Sequence, residues 1–121
     1  MTFRDLPESD WRVFRKLREV ALERFCERVL RELREMTADV PAPYHQRYLE
    51  VFKLVDRRDG ELGRAFNNPR RSAALSQLAL IRAQGLITAD ELAQFSSETQ
   101  DAVELLAPTG KRRGANKDAQ L

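Results

Sequence analysis

Apolar residues in the first third of the chain recur every three or four positions, with charged residues between them. The recurring positions are Phe14, Leu17, Ala21, Phe25, Val29, Leu33 and Met36. This spacing is typical of an α-helix with one buried face. No glycine or proline interrupts residues 8–36. We therefore predict one helix there, about 42 Å long, with Pro7 in its first turn and Ser9 or Asp5 as its cap.

A second helix is predicted over residues 44–58. Its apolar stripe, expected to face the core, consists of Tyr48, Val51, Phe52 and Val55. Leu62 and Phe66 continue the spacing beyond Gly60. Because a glycine inside a helix costs about 1 kcal/mol relative to alanine, we predict that this helix breaks or kinks near Gly60.

The third helix is predicted to start with Asn68 as its cap and Pro69 as its first residue. Its inward residues are expected to be Leu75, Leu78, Ala79 and Ile81. A last helix is predicted to run to about Ala107, with Ser96 or Ser97 as its cap. Ser97 and Gln100 have the spacing of a capping box.

Residues 84–95, QGLITADELAQF, have the signals of a tight corner between helices. Gly85 is predicted to end the third helix in a left-handed conformation. Thr88 and Glu91 have the spacing of a capping box, and Ile87 and Leu92 that of a hydrophobic staple. The corner therefore has a complete structural explanation without any ligand.

The stretch LALIRAQGLITADELAQFSSETQDAVELL, residues 78–106, contains the run GLIT-x-x-ELA. It resembles the helix–turn–helix of winged-helix repressors, and it is also similar to the short helical hairpins that end many bacterial proteins. The first resemblance implies that residues 75–106 contain a DNA-reading helix. That helix would carry Glu98, Gln100, Asp101 and Glu104 and no basic residue. Since a DNA-reading helix must approach phosphates, the sequence disfavours DNA binding by this segment.

These patterns predict an all-α protein with four or five helices around one core. We expect residues 1–107 to form a single helical domain and residues 108–121 a disordered basic tail. The chain of 121 residues has a net charge of +2. The tail contributes four basic residues and one acidic residue. The remaining chain is therefore close to neutral, which is unlike the surface of a typical DNA-binding domain.

The first helix has more apolar residues than one buried stripe requires. The additional residues are Trp11, Val13, Val20, Leu22 and Leu30. An uncovered apolar face commonly marks a partner site. The pattern fits a homodimer or a protein partner docked along the first helix, and it equally fits a monomer in which short helices cover both sides.

Five arginines lie on or near one connection, between residues 57 and 71. They are Arg57, Arg58, Arg64, Arg70 and Arg71. Such a cluster can bind a phosphate, an RNA backbone or an acidic partner. Asp56, Asp59 and Glu61 lie among the arginines, so local pairing is the favoured interpretation.

The sequence offers little for catalysis, and we expect no enzyme, cofactor or metal site. His45 is the single histidine and has no ligand partner at a suitable spacing. Cys26 is the single cysteine and is expected to be a buried, inert thiol. No membrane span or signal peptide is expected, and the cytoplasm is the expected location.

The expected function is that of a non-enzymatic binding or adaptor protein that acts through protein–protein contacts. The alternative is a nucleic-acid-associated regulator that uses the arginine cluster, the basic tail or the helix–turn–helix. Nucleic-acid binding through the core itself is disfavoured.

Overall fold

The structure is a computed structural model that describes residues 5–38 and 41–107. Those residues form helices and no strand. The helices are α1 (Glu8–Thr37), α2 (Tyr44–Phe66), α3 (Arg71–Ala83), α4 (Ala89–Leu92) and α5 (Ser97–Leu106). The prediction of an all-α fold with a long first helix is confirmed. The predicted tail at 108–121 lies outside the described residues.

Helices α1 and α2 form a long antiparallel hairpin. Arg47 reaches the end of α1 at Thr37, whereas Phe66 at the other end of α2 lies against Phe25. Helices α3 and α5 pack on each other, and α3 also contacts both long helices. The largest fully buried side chains are Phe14, Phe66, Leu78, Ile81, Leu86 and Val103. The core thus lies between α3–α5 and one end of the hairpin.

The other end of the hairpin projects beyond this core. We call it the arm and define it as residues 26–37 of α1 and 44–53 of α2. None of these residues is buried. The predicted stripe of α1 is accordingly buried only as far as Phe25, while Val29, Leu33 and Met36 are half-buried.

The predicted side-chain cap of α1, Ser9 or Asp5, was wrong. Pro7 precedes the helix, and no side chain caps it. A different acidic residue of the first turn, Asp10, is buried. It accepts hydrogen bonds from Ser96 N at 2.9 Å, Ser96 Oγ at 2.7 Å and Thr99 Oγ1 at 2.7 Å. Asp10 therefore joins the first turn of α1 to that of α5.

The predicted break near Gly60 was also wrong, because α2 is continuous from Tyr44 to Phe66. Leu54 and Phe66, on either side of Gly60, are both buried. Burying one such side chain contributes about 1.5–3 kcal/mol, which exceeds the glycine cost of about 1 kcal/mol. Tertiary packing thus outweighs local propensity.

The third helix begins later than predicted. Arg70 is its cap residue and Arg71 its first residue. Asn68 has a φ of 54°, a left-handed conformation that asparagine tolerates better than most residues. Asn68 therefore turns the chain after α2 instead of capping α3.

The corner after α3 is as predicted. Gly85 has a φ of 72°. Its N–H donates to the Arg82 carbonyl, and that of Leu86 donates to the Ile81 carbonyl. This is the pattern of a Schellman motif. The Thr88–Glu91 capping box is present.

The residues predicted to point inward from α3, and the two staple residues Ile87 and Leu92, are all buried. The cap of α5 is Ser96, whose Oγ accepts from Thr99 N. Ser97 is the first residue of that helix, so the predicted box of Ser97 with Gln100 was wrong.

Candidate interaction surface

The apolar stripe of α2 was predicted to face the core, and this was wrong for most of it. Tyr44, Tyr48, Phe52 and Val55 are 84%, 66%, 61% and 43% exposed, and only Val51 is half-buried. Leu49 beside them is also exposed. We call Tyr44, Tyr48, Phe52 and Val55 the aromatic surface.

The aromatic surface continues a face of α2 that is buried elsewhere. Tyr48, Val55, Leu62 and Phe66 follow one another at spacings of seven, seven and four positions, which keeps them on one side of a helix. Leu62 packs against the core and Phe66 is fully buried. The same face is therefore covered near its C-terminal end and uncovered on the arm.

The matching part of α1 is different. Beyond Phe25, exposed Arg28 and half-buried Glu32 follow on the buried face of α1, while Val29, Leu33 and Met36 beside them are half-buried. This part of α1 thus has a mixed polar and apolar face where the covering layer ends. The sequence of α2 stays aromatic there, which indicates that its exposed face is suited to a contact with something else.

Two arginines of α2 hold the arm together. Arg47 donates to the carbonyls of Thr37 and Ala38 at 3.0 and 3.1 Å, which satisfies the end of α1. The same guanidinium lies 5.2 Å from the centre of the Tyr44 ring. Arg47 therefore links the tip of the hairpin to the first residue of the aromatic surface.

Arg58 forms the second link. Its guanidinium bonds both carboxylate oxygens of Glu32 at 2.9 and 2.8 Å and also reaches Glu61 at 3.0 Å. The hydrogen bonds that Arg58 donates to Glu32 lower the pKa of Glu32 and raise the pKa of Arg58, in each case against the opposing effect of desolvation. The arm is thus a pair of helices braced at two points by hydrogen bonds from arginine.

The additional apolar residues of α1 are partly covered by the core. Trp11, Val13 and Leu22 pack partly buried against the core, while Val20 and Leu30 are exposed. Trp11 stacks on Phe14 with ring centres 5.6 Å apart. The more extensive uncovered apolar face of the hairpin is therefore that of α2.

The arginine cluster divides into two groups. Arg58 is paired as described, and Arg71 bonds the Leu6 carbonyl and Glu8. Arg57, Arg64 and Arg70 are exposed and form no ion pair with the part of the chain that the structure describes. The structure does not gather the five arginines around one point.

The corner is held by α1, a contact that sequence reasoning missed. Arg24 bonds both oxygens of Glu91 at 2.7 and 2.8 Å and the Leu86 carbonyl at 2.9 Å. The hydrogen bond from Arg24 lowers the pKa of Glu91 to about 2, although desolvation opposes it. The partners are 67 positions apart, so no local pattern could reveal the pair.

The helix that would read DNA is acidic on its outer side. Glu98, Asp101 and Glu104 of α5 are exposed, and α4, which precedes it, has four residues. Arg82 lies at 4.0 Å from Glu104. The segment has the turns of a helix–turn–helix without a basic face.

The residues that could carry chemistry are dispersed. His45 is exposed at the start of α2, and Cys26 is half-buried beside the core. Among residues 5–38 and 41–107, no group of three or more His, Cys, Asp or Glu side chains could hold a metal ion. No helix in the same ranges combines the length and the apolar character needed to cross a membrane.

Comparison with known proteins gave no match to a family model, a curated protein or a solved structure. By its fold, this protein is a helical bundle.

Proposed function

We propose that this protein is a non-enzymatic adaptor of the cytoplasm that acts through protein–protein contacts, with the aromatic surface of α2 as a contact site. The observation that carries the proposal is the row of exposed aromatic side chains on a braced helix. Tyrosine and other aromatic residues are enriched among the side chains that dominate binding energy. A surface that is already held in its geometry loses less entropy on binding.

The proposal can be tested with a photo-cross-linking residue in the full chain. In the cell that makes the protein, the residue placed at position 48 should cross-link to another polypeptide. The same residue at position 46 is the control, because Gln46 is exposed on the opposite side of α2. Equal cross-linking at both positions, or none at position 48, would contradict the proposal.

A nucleic-acid-associated role is the second candidate, and the three exposed arginines Arg57, Arg64 and Arg70 favour it. Exposed guanidinium groups supply the phosphate contacts on which such binding depends. Fluorescence anisotropy with labelled RNA and duplex DNA tests this role. The combined change of Arg57→Gln and Arg64→Gln should weaken any binding that uses these groups and leave the contacts of the aromatic surface unchanged.

A further inference from the structure

We infer that the occupant of the aromatic surface is a second copy of this chain, packed with the two α2 helices antiparallel across a two-fold axis. The two hairpin arms would then form a four-helix assembly. This inference rests on the proposed function, because it names the partner of the same surface. It is carried by the composition of the rest of the chain, by charge and by area.

The segment that follows α5 has few apolar side chains with which to cover the surface. Residues 108–121 include no aromatic residue and one leucine. A second polypeptide is therefore a better occupant of the aromatic surface than residues 108–121.

The charges at the two ends of the aromatic surface complement each other in an antiparallel pair. Helix α2 begins at Tyr44 with no acidic residue in its first turn and no side-chain cap. Its N-terminus therefore carries an uncompensated partial positive charge. Exposed Asp56 and Asp59 lie at the other end.

In an antiparallel pair, each acidic end lies beside the partner's helix start. A parallel pair would instead place like charges together, which is unfavourable. The charges of the surface thus complement those of a second copy when the two helices are antiparallel. A two-fold axis forms each of these contacts twice.

The exposed area fits a weak, reversible dimer. An aromatic side chain offers about 150–250 Å², so the three aromatic residues together expose on the order of 400 Å². With Leu49 and Val55, two copies would bury on the order of 1,000 Å², which is at the low end of specific interfaces. We therefore expect a dimer whose population rises through the micromolar range.

Analytical ultracentrifugation of the full chain tests the dimer. The unmodified protein should shift from monomer to dimer mass as its concentration rises. Phe52→Glu should raise the dissociation constant about tenfold or more, because it places a charge at the centre of the surface. Gln46→Glu adds the same charge on the opposite side of α2 and should leave the constant unchanged.

Circular dichroism separates a lost contact from a lost fold. Phe52 is exposed, so Phe52→Glu should retain the helicity and melting temperature of the monomeric protein. Should that variant unfold, Tyr48→Ser is the replacement, and it should also weaken the dimer. A dimer that either folded variant leaves intact would overturn the inference.

Disulfide trapping tests the orientation in a Cys26→Ala background. Chains with His45→Cys mixed with chains with Asp56→Cys should form mixed disulfides, because these positions are neighbours in an antiparallel pair. Chains with His45→Cys alone should form no disulfide with each other, since their two cysteines would lie about 16 Å apart. A disulfide needs Cα atoms within about 7 Å. Disulfides between two chains with His45→Cys would overturn the antiparallel arrangement.

The outcomes distinguish the two proposals. A protein that stays monomeric at high micromolar concentration contradicts self-association. Photo-cross-linking from position 48 to a different polypeptide would then still support the proposed contact site. A dimer that does not depend on α2, together with no cross-linking from position 48, would contradict both.

Discussion

At the scale of single residues, the contacts that most constrain the fold connect distant parts of the sequence. Arg24 and Glu91 form a bidentate pair, and Glu91 at the same time completes the capping box of α4 through Thr88 N. Asp10 connects α1 to α5 in a similar way. The capping box was predictable because its two residues are three positions apart, whereas the role of Arg24 and Asp10 depends on the tertiary fold.

Replacing Glu91 with glutamine tests the value of this pair. The change keeps the shape but removes the charge that bonds Arg24, so we expect the free energy of unfolding at neutral pH to fall by about 1–3 kcal/mol. Asp90→Asn is the control, because Asp90 is the adjacent exposed carboxylate and its loss should cost less than about 1 kcal/mol. Chemical denaturation measures both, and equal effects would contradict a special role for Glu91.

The same pair predicts a pH dependence. The pKa of Glu91 is about 2 in the folded protein, whereas an unperturbed glutamate has a pKa of about 4.3. The unfolded chain therefore takes up the proton first as the pH falls. The stabilisation from Glu91 is complete above about pH 4.3 and is lost as the pH approaches 2. The stability difference between the parent and Glu91→Gln should shrink over that interval, and a constant difference would contradict this assignment.

At the scale of helices, α2 tolerates two interior glycines because Leu54 before them and Phe66 after them are buried. A Cβ atom added at Gly60 would have Arg64 Nη1 as its nearest neighbour, at 3.7 Å. At Gly63 it would lie 3.1 Å from Asn67 Nδ2, which is a tight contact. The two glycines therefore offer a matched comparison within one helix.

We expect Gly60→Ala to stabilise the protein by about 0.5–1 kcal/mol, since alanine loses less backbone entropy in a helix and has room here. Gly63→Ala should give a smaller gain or a loss, because the Asn67 side chain must move. Thermal and chemical unfolding of both variants measures the difference. A destabilised Gly60→Ala variant would show that α2 is bent or broken at that point in solution.

The local sequence pattern could predict neither the full length of α2 nor which part of its apolar face is buried, and both failures have one cause. Tyr48 and Phe66 lie on the same face of the helix, and the sequence pattern treats them alike. Phe66 is buried and Tyr48 is exposed because α3–α5 cover only one end of the hairpin. Likewise, the break expected at Gly60 neglected the burial of Leu54 and Phe66 on either side. Local signals located the helices and the corner, but the extent of the covering layer is a property of the whole fold.

At the scale of the whole molecule, charge and apolar surface are separated on α2. The aromatic surface lies on one face, and Lys53 and Arg57 are exposed on the other. The outer side of α5 carries three exposed acidic residues, Glu98, Asp101 and Glu104. Within residues 5–38 and 41–107, the exposed basic residues of α2 are thus separate from α5, and α5 lacks the basic face that a DNA-reading helix presents.

That distribution of charge also predicts how the chain behaves toward duplex DNA. A chain ending at Ala107 should show no salt-dependent affinity for duplex DNA, because the first 107 residues are close to neutral and the helix in the reading position is acidic. The full chain adds four basic residues after Ala107, so any weak binding should depend on them and fall steeply with salt. Fluorescence anisotropy over a salt series measures both chains. Tight binding of the shorter chain to duplex DNA at physiological salt would contradict this prediction. If α5 were then the DNA-contacting helix, Gln100→Glu should lower the affinity for DNA.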